Sequence, residues 1–84
     1  MIKNINEIMR LDNDTIQEAL RGTDITEIAN LFLLLSEPVA YKISRNLSTR
    51  AFEKVNEKAK EIGKKNADKK YIDSFLKKVN SVCS

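Results

Sequence analysis

Apolar residues recur along this chain at helical spacing and nowhere alternate with polar ones. Ile5, Ile8 and Met9 predict a short first helix. Asp12 stands ahead of the triplet Ile16, Ala19 and Leu20, where a side-chain oxygen can accept from the free backbone N–H groups of a second helix. Gly22 predicts its end. Asp24 and Glu27 have the spacing of a capping box and open a third helix through about Leu35. Ser36-Glu37-Pro38 starts a fourth, with proline in the first turn, where its missing N–H costs nothing. Val39, Ala40 and Ile43 form the inward face of that helix, which ends near Asn46. Ser48 is the N-cap of a fifth helix, whose stripe is Phe52, Val55, Ala59 and Ile62, and Gly63 ends it. The last helix runs from about Ala67 to Val82, with Ile72, Phe75, Leu76, Val79 and Val82 on one face. No window shows the period-two pattern of a strand. The pattern predicts an all-α fold of about six short helices, packed ridges-into-grooves as a single helical domain over residues 1–84.

Composition narrows the chemistry. Eighty-four residues leave no room for an interdomain cleft. A hydrophobic fraction of 42%, with only two Gly and one Pro, excludes both a disordered chain and a turn-rich β-sandwich. One cysteine and no histidine exclude a disulfide framework, an ordinary structural zinc site and any triad or general base built on imidazole. Cys83 sits beside the terminus, where an incidental role is expected. No stretch reaches the roughly 20 apolar residues of a membrane span, and acids run through residues 1–20, unlike a signal peptide. The expectation is a soluble cytoplasmic protein without cofactor, metal or small-molecule substrate.

Charge is unevenly placed. Residues 1–48 carry five Lys or Arg against seven Asp or Glu, a net −2, and residues 49–84 carry ten against five, a net +5. Three Lys-Lys pairs stand in the basic half: Lys64-Lys65, Lys69-Lys70 and Lys77-Lys78. These lysines suit nucleic acid or another acidic partner, or form a solvated face in a chain rich in Lys, Ile and Asn. No aromatic residues interleave with them for base stacking, and no Gly-rich phosphate loop is present.

Three features could serve a partner. The run Leu31-Phe32-Leu33-Leu34-Leu35 places Ile25, Ile28, Ala29, Phe32 and Leu35 on one side, Leu33 at its edge and Leu34 nearly opposite. Leu33 and Leu34 are either an apolar partner patch or covered by a neighbouring helix. The polar face of the fifth helix carries Arg50, Glu53, Lys54, Glu57, Lys58 and Glu61, either a solvated face or a charged contact ridge working by complementarity. Asn46-Leu47-Ser48-Thr49-Arg50-Ala51 reads as a tight interhelical turn ending in an N-cap.

The ordered set from Leu11-Asp12-Asn13-Asp14-Thr15-Ile16-Gln17 through Ala19-Leu20-Arg21, Glu27-Ile28-Ala29, Ser36-Glu37, Lys42-Ile43 and Asn46-Leu47-Ser48-Thr49-Arg50-Ala51 resembles the C-terminal domain of the bacterial flagellar motor switch protein FliG. That family reads approximately LDDR-x-IQ-x-LLREVD, LA-x-ALKGASE and KI-x-x-NMS-x-RAA, in the same order with the same gaps. The resemblance covers about residues 5–80. It implies an armadillo-like, right-handed superhelix of short helices. It also implies a place at the cytoplasmic face of the inner membrane in the flagellar basal body, within the rotor C-ring among other switch proteins. A charged ridge there meets a MotA-like stator protein and transmits torque for motility and chemotactic switching.

Carried across residue by residue, the ridge is partly kept. Arg50 matches the family's Arg and Glu57 the first acid of its acidic pair. Lys58 reverses the second acid. Leu33 and Leu34 stand for a Lys-Gly pair, and Lys64-Lys65-Asn66 for Pro-x-Arg, so that Asn66 replaces an arginine. Ile2-Lys3-Asn4-Ile5 falls on a Met-Phe-x-Phe hinge without its aromatics. The resemblance therefore implies a divergent member with Arg50, Glu53, Lys54, Glu57 and Lys58 as the contact ridge. The family's N-terminal and middle domains have no counterpart in these residues, which belong either to an excised domain or to a short protein. Two other readings stay open: a basic nucleic-acid-binding domain, weakened by the lack of an Asn/Gln/Arg cluster opening a helix, and an oligomerisation module using Leu33 and Leu34. An enzyme fits least, because Glu53, Glu57 and Glu61 are solvated carboxylates on one helix.

Overall fold

Four of the helices begin where a short polar side chain takes the first unpaired N–H groups. In the computed structural model, which describes residues 2–83, a 3-10 helix spans Ile5–Arg10. Asn4 caps it, accepting from Asn6 N at 2.9 Å, while the Glu7 carboxylate reaches back to the N–H groups of Lys3 and Asn4 at 2.8 and 2.9 Å. Five α-helices follow: α1 (Asn13–Arg21), α2 (Ile25–Leu34), α3 (Glu37–Ser44), α4 (Thr49–Ile62) and α5 (Lys70–Cys83). A second 3-10 turn, Lys64–Asn66, lies between α4 and α5. Asp12 caps α1 through Thr15 N at 2.8 Å, Asp24 caps α2 through Glu27 N at 2.9 Å, and Ser48 caps α4 through Ala51 N at 3.1 Å. Ser36 begins α3 without a side-chain bond, with proline in the first turn. The described residues contain no strand, and none of their helices is long and apolar enough to cross a membrane.

Several boundaries depart from the sequence pattern. The last helix starts at Lys70 rather than Ala67, because the chain first makes the 3-10 turn and an extended residue at Ala67. The fourth ends at Ser44, two residues early. Gly22 ends α1 with an ordinary negative φ of −95°, so left-handed geometry is not the reason. The Thr23 hydroxyl instead takes the Ala19 carbonyl at 2.9 Å. Gly63 does need glycine: its φ is +73°, a conformation that a β-carbon resists. The Asp24 box is half made. Glu27 turns away from the cap to meet the Lys78 ammonium at 2.9 Å.

The helices pack around α2. Its Ile28, Ala29, Asn30 and Leu31 are all buried, and it lies chiefly against α4 and also against α5. α1 packs on α5, and α3 on the N-terminal 3-10 helix. Ile8, Ile16, Leu31, Val39, Ile43, Val55, Phe75 and Val79 complete one continuous core. Each such side chain contributes about 1.5–3 kcal/mol by leaving water. A single stripe on α2 does not describe this: the consecutive Ala29, Asn30 and Leu31 are all buried although they point in different directions around the axis, since helices cover α2 on two sides. The Cα radius of gyration is 11.7 Å, close to the roughly 12 Å of a compact chain this long.

Polar ties lock the packing. Asn30, 3% exposed, donates to the Thr26 carbonyl at 2.8 Å and accepts from Asp68 N at 2.8 Å, holding the loop before α5 onto α2. Asn80 on α5 holds both backbone groups of Ile2, accepting from its N–H at 2.8 Å and donating to its C=O at 2.9 Å. Asn46 joins Gln17 at 3.0 Å and Asn13 at 3.3 Å to the Lys42 carbonyl at 2.9 Å.

Two predictions follow from these ties. Asn30→Ala leaves the Asp68 N–H unpaired, and urea unfolding should show a loss of about 1–3 kcal/mol; a change below about 0.5 kcal/mol contradicts the tie. The second concerns acid. Backbone N–H groups of Asn4 and then Lys3 hold the Glu7 carboxyl below its ordinary 4.5. The Thr15 hydroxyl and N–H, with the field of Lys42, hold Asp12 below its ordinary 3.8. Both depressions favour the charged form in the fold. Their stabilisation is complete above those ordinary values and disappears as pH falls through the lower folded ones. Asp12→Asn keeps a capping oxygen without a titrating one, so its Tm should fall less steeply with acid than that of the parent; identical slopes contradict the assignment.

Candidate charged interface on α4

The charged face follows from how α4 divides its surface. Residues about 100° apart around the axis put Val55, Ala59, Ile62 and Phe52 on one side. Val55 is fully buried, and Ala59 and Ile62 pack on the core beside it. Phe52 lies 38% exposed with its ring 6.2 Å from that of Phe32 on α2. The opposite side includes Arg50, Glu53, Lys54 and Glu57, at successive spacings of three, one and three, with Lys60 and Glu61 beyond them. The first four are all exposed, and none of these four has an ion-pair partner among the described residues. The helix thus presents alternating charge on a rigid rod anchored from behind.

Lys58 stands apart from the other four. It lies toward the buried edge of the helix, is half-buried, and pairs with Glu61 at 3.4 Å. The structure therefore groups Arg50, Glu53, Lys54 and Glu57 and leaves Lys58 on the flank. Leu33 and Leu34, in the last turn of α2, are both half-buried. Asn66 closes the second 3-10 turn, and its amide donates to the Ile62 carbonyl at 3.0 Å, so it serves the C-terminus of α4. Ile2 and Ile5 both pack partly against the core, and Asn80 fixes the backbone at Ile2. The basic half of the chain is not uniformly solvated: Lys78 has a side chain only 29% exposed and reaches Glu27, itself 17% exposed, and the Thr23 hydroxyl at 3.3 Å.

Sequence reasoning missed the residues that tie α2, α5 and the N-terminal segment to one another. Asn30, Lys78 and Asn80 read as surface residues by type. Their signal is position: Asn30 falls between Ala29 and Leu31, and Asn80 directly follows Val79, so each sits on or beside a buried stripe. No group of three or more potential metal-ligating side chains occurs among the described residues. Neither of two grooves, of about 400 and 230 Å³, is lined by an acid of α4.

A family model described as the FliG C-terminal domain matches residues 1–81. No curated protein and no solved structure matches the chain.

If the ridge is free for a partner, it carries no folding energy. Arg50→Ala, Glu53→Ala, Lys54→Ala and Glu57→Ala should each change the free energy of unfolding by less than about 0.5 kcal/mol in urea titrations. A larger loss at any of them would make that residue part of the scaffold.

Proposed function

The chain belongs to the FliG C-terminal domain family, and we propose that it is a protein-interaction module of the rotor whose α4 ridge meets a stator protein of the MotA type. Membership makes it a flagellar motor switch domain with an all-α fold, a structural part of the motility apparatus. The stator contact, the other switch proteins as neighbours, and a position at the cytoplasmic face of the inner membrane belong to the proposal.

One observation carries it: four exposed charges of alternating sign, unpaired within the described residues, stand on the side of α4 away from the core. A face of this kind gives little affinity in high dielectric. It gives register and encounter rate, because each charge selects its opposite and rejects its like. Contact made and broken at every step of a rotating assembly calls for that combination rather than for a large apolar interface. Arg50 lies at the start of the ridge, one helical turn before Glu53 and Lys54 and two before Glu57, so a partner helix with complementary spacing meets all four.

Lys58 and Leu33 set the limits of this contact. Where the family has an acid, Lys58 already holds Glu61. Where it has a lysine, Leu33 offers half-buried apolar surface. We therefore assign the working contacts to Arg50, Glu53, Lys54 and Glu57, with Lys58 at the margin.

A cytoplasmic stator fragment should bind the chain with a salt-sensitive affinity. Arg50→Asp should weaken it about fivefold or more, and reversing the opposing stator acid should restore part of the loss. Unchanged binding by Arg50→Asp, or a loss that no stator charge reversal repairs, contradicts the proposed contact.

A further inference from the structure

A second surface lies outside the ridge, and four elements build it. Among the described residues the exposed large hydrophobic side chains are Met9, Tyr41, Phe52 and Val82, and three of them line two adjoining grooves. The first groove, about 400 Å³, lies between the N-terminal 3-10 helix, the start of α1 and α3, with Met9, Pro38 and Tyr41 as its apolar lining. Tyr41 is 64% exposed and Met9 46%. The second, about 230 Å³, continues past Leu47 to Thr49 and Phe52 at the first turn of α4. Arg45 lines both and so joins them.

Charge along this strip has one sign. Lys42 and Arg45 line it, and no carboxylate does. The Lys42 ammonium is held in place by the Met9 carbonyl at 3.0 Å. The Arg45 guanidinium lies 5.7 Å from the centre of the Tyr41 ring and has no ion-pair partner among the described residues, unlike Arg21, which holds Glu18 at 2.8 Å. The nearest acid that Lys42 influences, Asp12, is engaged as the N-cap of α1. A cation stacked on an exposed ring beside a methionine and a proline presents an apolar floor with a fixed positive rim.

We propose that this strip docks an extended acidic peptide segment of a partner protein, whose apolar side chains lie on Met9, Tyr41 and Phe52 and whose carboxylates meet Arg45 and Lys42. The one-signed lining selects an acidic occupant over a neutral or basic one. The exposed aromatic and methionine surfaces supply anchors of the kind that dominate small interfaces. The proposal stands independently of the α4 ridge, because neither Met9, Tyr41 nor Arg45 belongs to it.

The test uses the full chain, labelled with nitrogen-15, titrated with an acetylated and amidated Glu-Leu-Asp-Phe-Glu-Leu peptide. The control is the same peptide with every acid replaced by lysine. The acidic peptide should bind with a Kd below about 1 mM and shift amides near Met9, Tyr41, Arg45 and Phe52, while the lysine peptide shifts none of them. Tyr41→Ala should weaken binding about tenfold, and Arg45→Gln about threefold or more, with the amide spectrum elsewhere unchanged. No shift at millimolar peptide, equal shifts with the lysine peptide, or shifts confined to Glu53–Lys58 each overturn the proposal. So does concentration-dependent movement of the same amides without peptide, which makes the strip a contact between copies of this chain. A failed stator titration with a positive peptide titration removes the ridge reading alone, and the reverse removes this one.

Discussion

Everything in this small protein depends on burying α2 from two directions. Ala29 and Leu31 lie on opposite sides of the helix and could not both leave water if α2 lay on a surface, and the chain is too short to spare their contribution. Wrapping α4 and α5 around one central helix solves that, but it also brings polar groups inside. Asn30 answers this by satisfying its own amide and the backbone of Asp68 together. An apolar residue of similar size would leave the Asp68 N–H without its acceptor at the point where the chain must turn into α5. The Glu27–Lys78 pair acts beside it, half-shielded and joining the same two helices.

The charged outer face of α4 is a consequence of that arrangement. Because α2 occupies the centre, α4 can bury only one narrow stripe, with Val55 its only fully buried side chain. The remainder of a 14-residue helix must face outward, and the sequence fills the far side with charge of both signs. A helix fixed through one stripe and capped by Ser48 and Gly63 is a stiff support for such a ridge. Asn66 adds to that stiffness by taking the Ile62 carbonyl, so a position that differs from the family pattern still serves the helix bearing the ridge.

Much of this was legible in the residues. The caps at Asp12, Asp24 and Ser48, the stop at Gly63 and the stripes of α1, α4 and α5 follow local rules, and the structure obeys them except at the stripe ends, where Phe52 and Val82 are exposed. The ordered motifs from Leu11 to Ala51 gave the family, and the match over residues 1–81 bears that out. What stayed hidden were properties that arise only between helices. The burial of Asn30 escaped notice because a wheel assumes one neighbour. Glu27 looked like a capping residue because its other partner lies 51 positions away. The 3-10 turn at Lys64–Asn66 followed from no periodicity at all, since three residues carry none. The exposed charges of α4 were visible as a set, whereas the separation of Lys58 from them required knowing which edge of the helix is covered.

The central claim is that α4 is held against α2 as firmly as the protein is held together, so that its outer charges form a fixed ridge. Native-state hydrogen exchange measures this directly, residue by residue. The account predicts that amides in the middle of α4 around Val55 exchange only through global unfolding, with the same opening free energy as those around Leu31 in α2. Exchange of α4 through local opening far below that value, while α2 stays protected, would contradict it.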